Sequence, residues 1–268
     1  MKKNNIKELS IQVNLNGLSF CILNRSNNTI EVLTSIAFEN KLTPFETLNR
    51  LKKELSSNTS FSDNFNAVTV IHQNELTTIV PKEYYDENQK VDYLKFNAKI
   101  LKTDFITHDS IAINNSINVY IPYVNINNYI FETFGEFIYK HSSTLLIDSI
   151  LQKSDISEGP VVYINVNTAT FELLVFNEEK LQLSNVFEYH SKEDFIYYVL
   201  FVFEQLALDS ETAKVKLSGS ISKEDDIYNI LYTYVRHIEF IDININYSFT
   251  DTIKKDNLHS YYLILNAF

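Results

Sequence analysis

Along this 268-residue chain the order strand–strand–strand–helix–strand is written twice, and that duplication constrains the fold more than any single motif. Near the N-terminus LSIQVNL (residues 9–15) alternates apolar and polar side chains, as a strand with one buried face does. Asn16-Gly17, a favoured hairpin dipeptide, leads into LSFCILN, and Asn27-Asn28 turns the chain into TIEVLTSIAF. Thr43, Pro44 and Glu46 then read as a helix start: threonine caps, proline suits the first helical position, and glutamate completes a capping box. AVTVIH (residues 67–72) reads as a buried strand.

In the second half VVYINVN and ATFELLVFN form a hairpin, and KLQLSNVFEYH (180–190) is a third strand. Ser191, Lys192, Glu193 and Asp194 open a helix that runs to about Leu208, and the strand AKVKLSG follows. Ser222 to Asp225 open another, with Ile227, Ile230, Leu231, Tyr234 and Val235 spaced three and four apart on one face. HIEFID (237–242) is the next strand. Between the halves, the charged segment 87–100 reads as helical and SIAIN pairs with INVYIPY. A helix over about 126–140 then turns Tyr129, Ile130, Phe134, Phe137 and Ile138 inward. A three-stranded antiparallel meander followed by helix–strand units is the ribonuclease H-like arrangement. Two in tandem predict an α/β chain with mixed sheets, in the architecture shared by actin, sugar kinases and pilus-assembly ATPase-like proteins. The expected lobes are 1–158, with the inserted helix and strand pair, and 159–268, joined at Ser157-Glu158-Gly159-Pro160.

Composition removes several functions. The chain has four glycines, Gly17, Gly135, Gly159 and Gly219, where ordinary usage of ~7% would give roughly nineteen. Backbone cradles for phosphate need glycine, and neither a P-loop nor a GxGxxG fingerprint can be written from these four. The net charge of −11 is spread without a basic block, which argues against nucleic acid as a partner. No apolar run reaches the ~20 residues of a membrane span, and MKKNNIKELS lacks the apolar core of a signal peptide. Cys21 is the single cysteine, so no intramolecular disulfide forms and the cytoplasm is the expected compartment; its apolar strand makes it a core residue rather than a nucleophile. The six histidines are scattered and form no zinc motif. The first two strands carry no Asp or Glu inside residues 9–15 and 18–24, as a ribonuclease H-type metal site would require, and no GxSxG exists. The pairs Glu178-Glu179, Glu193-Asp194 and Asp225-Asp226 sit in a turn and at two helix starts, where solvation and the helix dipole account for them.

The wording of the chain adds to this reading. KLQLSNVFEYHSKEDFIYYVLFVFEQLALDSE, with KLSGSI and YVRHIEF after it, resembles the Bacteroidetes family DUF3822, as do LSIQVNLNGLSFCI and VYIPYVNINNYIFETFGEF. The specific part is the ordered string Asn185, Phe187, Glu193-Asp194-Phe195 and Tyr197-Tyr198, and the match spans nearly the whole chain. The resemblance implies an actin-like ATPase fold and no established activity.

Actin-like ATPases hold nucleotide between two hairpins and a glycine-containing loop. By that resemblance Gly17 matches the glycine of the first hairpin, beside Asn16, while the aspartate position falls on Leu15, or on Asn14 with a shift of one. In the second hairpin Asn165 stands for the aspartate, Asn167 for the glycine and Thr170 for the threonine. Ser218 and Gly219, between Leu217 and Ser220, resemble the adenosine-contacting loop with one glycine instead of two. Magnesium prefers anionic oxygens, and a water nucleophile needs a base or an orienting group. Asparagine supplies neither charge nor a proton acceptor, so no catalytic residue and no metal ligand is assigned. The plain reading of these residues is two hairpin turns and a strand exit.

The aromatic helix at 194–208 has Phe195, Val199, Val202, Phe203 and Leu206 along one stripe, with Tyr198, Phe201 and Leu208 off it. Burial between a sheet and a neighbouring helix explains most of it, and a surface for another protein is the sharper reading. The expectation is a cytoplasmic, non-catalytic actin-like protein that works by binding an unidentified protein partner, without a cofactor. The alternative is a regulator that keeps ATP or a related phosphate ligand between its lobes without efficient hydrolysis.

Overall fold

A computed structural model of the chain describes residues 5–96, 99–153 and 159–268. The chain opens as an antiparallel meander of β1 (Lys7–Asn14), β2 (Gly17–Asn24) and β3 (Thr29–Ala37). Helix α1 (Pro44–Ser57) begins as its sequence predicts: the Thr43 hydroxyl accepts the Glu46 N–H, and the Glu46 carboxylate accepts the Thr43 N–H at 2.8 Å. The chain returns through β4 (Ala67–His72), parallel to β1. An insertion follows, with β5 (Thr77–Pro81), the short α2 (Lys90–Leu94), β6 (Thr107–Ile111) and β7 (Ser116–Tyr120), and its strands form a sheet ordered β5-β7-β6. After α3 (Val124–Phe134), β8 (Ile138–His141) rejoins the first sheet beside β4, and α4 (Ser142–Lys153) leaves it.

The second half is β9 (Pro160–Val166), β10 (Thr170–Asn177), β11 (Lys180–Glu188), α5 (Lys192–Gln205), β12 (Lys214–Gly219), α6 (Asp226–Tyr234) and β13 (His237–Phe240). The two large sheets run β3-β2-β1-β4-β8 and β11-β10-β9-β12-β13, with the same parallel and antiparallel pairs at matching places. These are two tandem ribonuclease H-like units. The chain then leaves the second sheet: β14 (Ser248–Phe249) adds to the first sheet beside β3, and α7 (Tyr262–Leu265) packs with α4 in the core shared by both sheets. Of the join expected at Ser157-Glu158-Gly159-Pro160, Ser157 and Glu158 lie outside the described residues.

Packing follows from which faces are apolar. The outer face of the first sheet buries Leu9, Ile11 and Val13 against Leu51 of α1 and Ile126 and Ile130 of α3. The outer face of the second buries Phe171 and Leu173 against Phe195 and Val199 of α5 and Leu231 of α6. Between the sheets lie Cys21, Ile71, Ile147, Ile150, Tyr163 and Phe176. Cys21 is fully buried there, and burial pushes its thiol far above the ordinary range.

Several local expectations need correction. The helix expected over 126–140 stops at Gly135, whose φ of +81° ends it, and Ile138 begins a strand and is 58% exposed instead of facing inward. The first hairpin turns on Leu15-Asn16, not Asn16-Gly17; Gly17 is already strand, pairs with Asn14 and has no left-handed φ. What requires glycine there is the neighbouring strand, because a Cβ on Gly17 would lie 2.7 Å from the Ile36 carbonyl oxygen. Among its described residues the segment 87–100 is helical only over Glu87–Gln89, as a 3-10 turn, and through α2. SIAIN is half strand, since Ala112–Asn114 form a 3-10 turn. Helix α5 ends at Gln205 rather than near Leu208, HIEFID is strand only to Phe240, and Tyr234 of α6 is 50% exposed.

Candidate functional site

The two hairpin tips face one another across the molecule. Asn14, Asn16 and Gly17 from the first, and Asn167 from the second, line a cleft completed by Gln12 and Gln73. The tips are held locally. The Asn14 side chain accepts the Asn16 N–H at 2.7 Å, and the Asn167 N–H donates to the Thr170 carbonyl at 2.8 Å. The Tyr189 hydroxyl donates to the Asn167 carbonyl. The other expected site residues, Asn165, Thr170, Ser218 and Gly219, lie behind the cleft wall. Asn165, Thr170 and Ser218 are buried, and Asn165 accepts the Ser218 hydroxyl at 3.0 Å. Gly219 has φ +85°, and a Cβ there would sit 2.1 Å from the Val166 carbonyl oxygen, so the strand exit tolerates only glycine.

The cleft holds about 80 Å³. Sites for small molecules are ordinarily ~300–1,000 Å³, so this one has room for a few waters rather than a nucleotide. No charged side chain lines it among the described residues, and five carboxamides do: Gln12, Asn14, Asn16, Gln73 and Asn167. Carboxamides hydrogen-bond in both directions but cannot neutralise a phosphate, and magnesium is held by them only weakly. Among the described residues no three His, Cys, Asp or Glu side chains converge as a metal-ligand set.

Behind the cleft is a residue that sequence reasoning missed. Glu172 of β10 pairs across the hairpin with Asn165 and is 2% exposed. Gln73 bridges it to the cleft, donating to Glu172 Oε1 at 3.1 Å while accepting from Gln12 Nε2 at 2.8 Å. The Ser143 hydroxyl, in the first turn of α4, donates to Glu172 Oε2 at 3.0 Å. Ser142 Oγ and Asn165 Nδ2 also face the carboxylate, short of hydrogen-bond geometry. Burial raises this carboxyl above its usual range, against the opposing hydrogen bonds. A second carboxylate meets the same helix start. Asp109 Oδ2 accepts the His141 N–H at 2.9 Å and the Thr144 hydroxyl at 2.7 Å, and Tyr120 donates to its other oxygen at 3.0 Å. The N-terminus of α4 thus balances one carboxylate from the insertion and one from the second sheet. The signal for Glu172 was present: a single acid inside the apolar run TFELLVF.

Two of the scattered histidines are neutral core groups beside this network. The Tyr123 N–H points at His72 Nδ1 (3.3 Å), so Nε2 carries the proton and donates to Asn127 Oδ1 at 2.8 Å. The Ser143 N–H meets His141 Nδ1 at 3.1 Å, and His141 Nε2 donates to the Asn74 carbonyl at 3.1 Å. Burial lowers their pKa values to about 4 and about 3.

A family model for a protein of unknown function, DUF3822, matches residues 1–238. No curated protein matches the chain. Among solved structures, a Bacteroides thetaiotaomicron protein with actin-like ATPase fold and unknown function superposes with a TM-score of 0.79 at 23% identity, covering 88% of this chain and 91% of that one. A chain of the PilM–PilN type IV pilus biogenesis complex gives 0.62 at 10% identity over 98% of both chains. The ethanolamine utilization protein EutJ from Carboxydothermus hydrogenoformans gives 0.52 at 6%, covering 100% of this chain and 90% of that one. At these identities the likeness is one of fold, and the fold is that of the actin-like ATPases.

Proposed function

The chain belongs to the DUF3822 family and folds as an actin-like ATPase, and from that premise we propose that it works as a non-catalytic protein-interaction or scaffold module. The observation that carries this reading is the cleft between the hairpins: about 80 Å³, walled by carboxamides and without a charged group among the described residues. A fold kept for its shape has no need of its ancestral site. The same fold occurs in a chain of the PilM–PilN complex, which supports protein partnering as a use of this architecture. Exposed aromatic side chains on the helices of the second unit are consistent with it, with Tyr197 and Phe201 stacked on α5 at 62% and 44% exposure. No described helix is long and apolar enough to cross a membrane. The single buried thiol suits a reducing compartment, so we assign the protein to the cytoplasm.

One feature favours the second reading, a regulator that holds ATP or a related phosphate ligand without efficient hydrolysis. Asn167 Nδ2, in the cleft wall, has no hydrogen-bond partner. A thermal-shift titration with ATP, ADP and GTP, with and without magnesium, separates the two. Nucleotide at a hundred times its dissociation constant would add ~2.7 kcal/mol and raise the midpoint by roughly 5–10 °C. The interaction reading expects a flat response at millimolar nucleotide; a saturable rise puts the ATP-holding reading in its place.

A further inference from the structure

A groove of about 720 Å³ runs between β5 and β11, away from the hairpin cleft. Both strands are sheet edges: β5 ends the three-stranded sheet and β11 ends the five-stranded one. β11 pairs with β10 along its inner side, and among the described residues it has no strand partner on the outer side. An edge with unpaired N–H and C=O groups is a template for another chain, and proteins usually cover or blunt such edges. β5 ends in Pro81, which removes a donor. β11 has no proline along its length.

The side chains show that the groove follows the edge of β11 rather than one of its faces. The register of β10 with β11 slips between Val175 and Phe176, so Leu183 lies opposite Val175 while Leu181 lies opposite Phe176. A bulge of this kind turns the flanking side chains to opposite faces. Leu181 accordingly packs with the core between the sheets and Leu183 with the core under α5, and both still line the groove. Only a groove running along the strand edge touches both. Ile79 of β5 lines the opposite wall.

One end of the groove is acidic. The β10–β11 turn is Glu178-Glu179, with φ of 48° and 63°, where Asn-Gly is the usual choice. L side chains disfavour that conformation, so the turn holds two carboxylates at the groove mouth against its local preference. Lys180 is the one cation among the described residues lining the groove, on a chain of net charge −11.

We propose that β11 is the docking edge for an extended segment of a partner protein, which adds as a strand in the β5–β11 groove. The segment spans about five residues, ~17 Å at strand rise, with alternating apolar side chains and a Lys or Arg beside Glu178 and Glu179. This rests on the protein-interaction reading above and specifies its surface.

The test is selection of a random heptapeptide display library on the full-length chain. The enriched peptides are then synthesised, titrated by fluorescence anisotropy and mapped by hydrogen exchange. The expected peptides are extended and basic at one end, slow exchange at residues 180–184, and bind at least tenfold more weakly to the double variant Glu178→Lys, Glu179→Lys. A central proline in the peptide abolishes binding. Peptides that protect another surface and ignore the double variant overturn the groove while leaving the interaction reading in place. No enrichment also overturns the groove, and the nucleotide titration then judges the wider reading separately.

Discussion

Glu172 is a buried carboxylate whose neighbours are neutral donors and a helix start rather than a cation. Its folded pKa lies above the unfolded one, so the stability it contributes is greatest at low pH and is lost as pH rises through the folded value. Asp109 acts with the same sign. His72 and His141 act with the opposite sign: their contribution is complete above the unfolded value of 6.5 and is lost as pH falls toward about 4 and about 3. Between pH 6.5 and 4.5 Glu172 therefore offsets part of what the histidines lose. In Glu172→Gln the melting temperature should fall more steeply across that window than in the parent, and parallel curves would contradict this account of the site. Two backbone positions give sharper expectations. Ala207 closes α5 with φ 51° in a Schellman arrangement, its N–H on the Glu204 carbonyl and that of Leu208 on Phe203 at 2.8 Å. Ala207→Gly should stabilise by about 1 kcal/mol, raising the midpoint by ~2–4 °C in a thermal melt. Gly219→Ala drives a Cβ into the Val166 carbonyl and should cost more than ~2 kcal/mol in a denaturant titration.

At the scale of the element, the helices and strands legible from sequence were those with a distinct face or distinct punctuation. The capping boxes at Thr43 and Ser191 set the starts of α1 and α5, and the alternation of residues 9–15 set β1. Helix α4 carried no such mark. It lies between both sheets and buries Leu145, Leu146, Ile147 and Ile150 along with Ser143 and Thr144, so no polar face distinguishes it. Gly135 is a legible stop, but the apolar spacing that continues across it into β8 masks it. Ile147→Ala, in the shared core, should cost ~2–5 kcal/mol. Helix α5 divides along its stripe. Phe195, buried against Phe171 at 4.6 Å, should cost ~3–5 kcal/mol on replacement by alanine, whereas Phe201→Ser at the exposed face should stay within ~0.5 kcal/mol. Equal costs at the two positions in urea titrations would show that the exposed aromatics are structural instead of free for a partner.

For the whole molecule, the duplication was legible because each half repeats the same meander, and the two five-strand orders coincide. What the chain order did not convey is where the halves meet. The contacts joining them are long-range: Gln73 to Glu172, Lys41 to Glu188 at 2.7 Å, and β14 beside β3. The same holds for the cleft, since Asn14 and Asn167 are marked by their turns, whereas Gln12 and Glu172 sit in ordinary strand runs and Gln73 directly follows one. The small, uncharged cleft between the hairpin tips is the observation behind the proposal that the protein binds proteins rather than nucleotides. The most direct measurement is calorimetric titration of the full chain with magnesium ATP at millimolar concentration. Dilution heats only are expected; a saturable one-site isotherm would contradict the protein-interaction proposal.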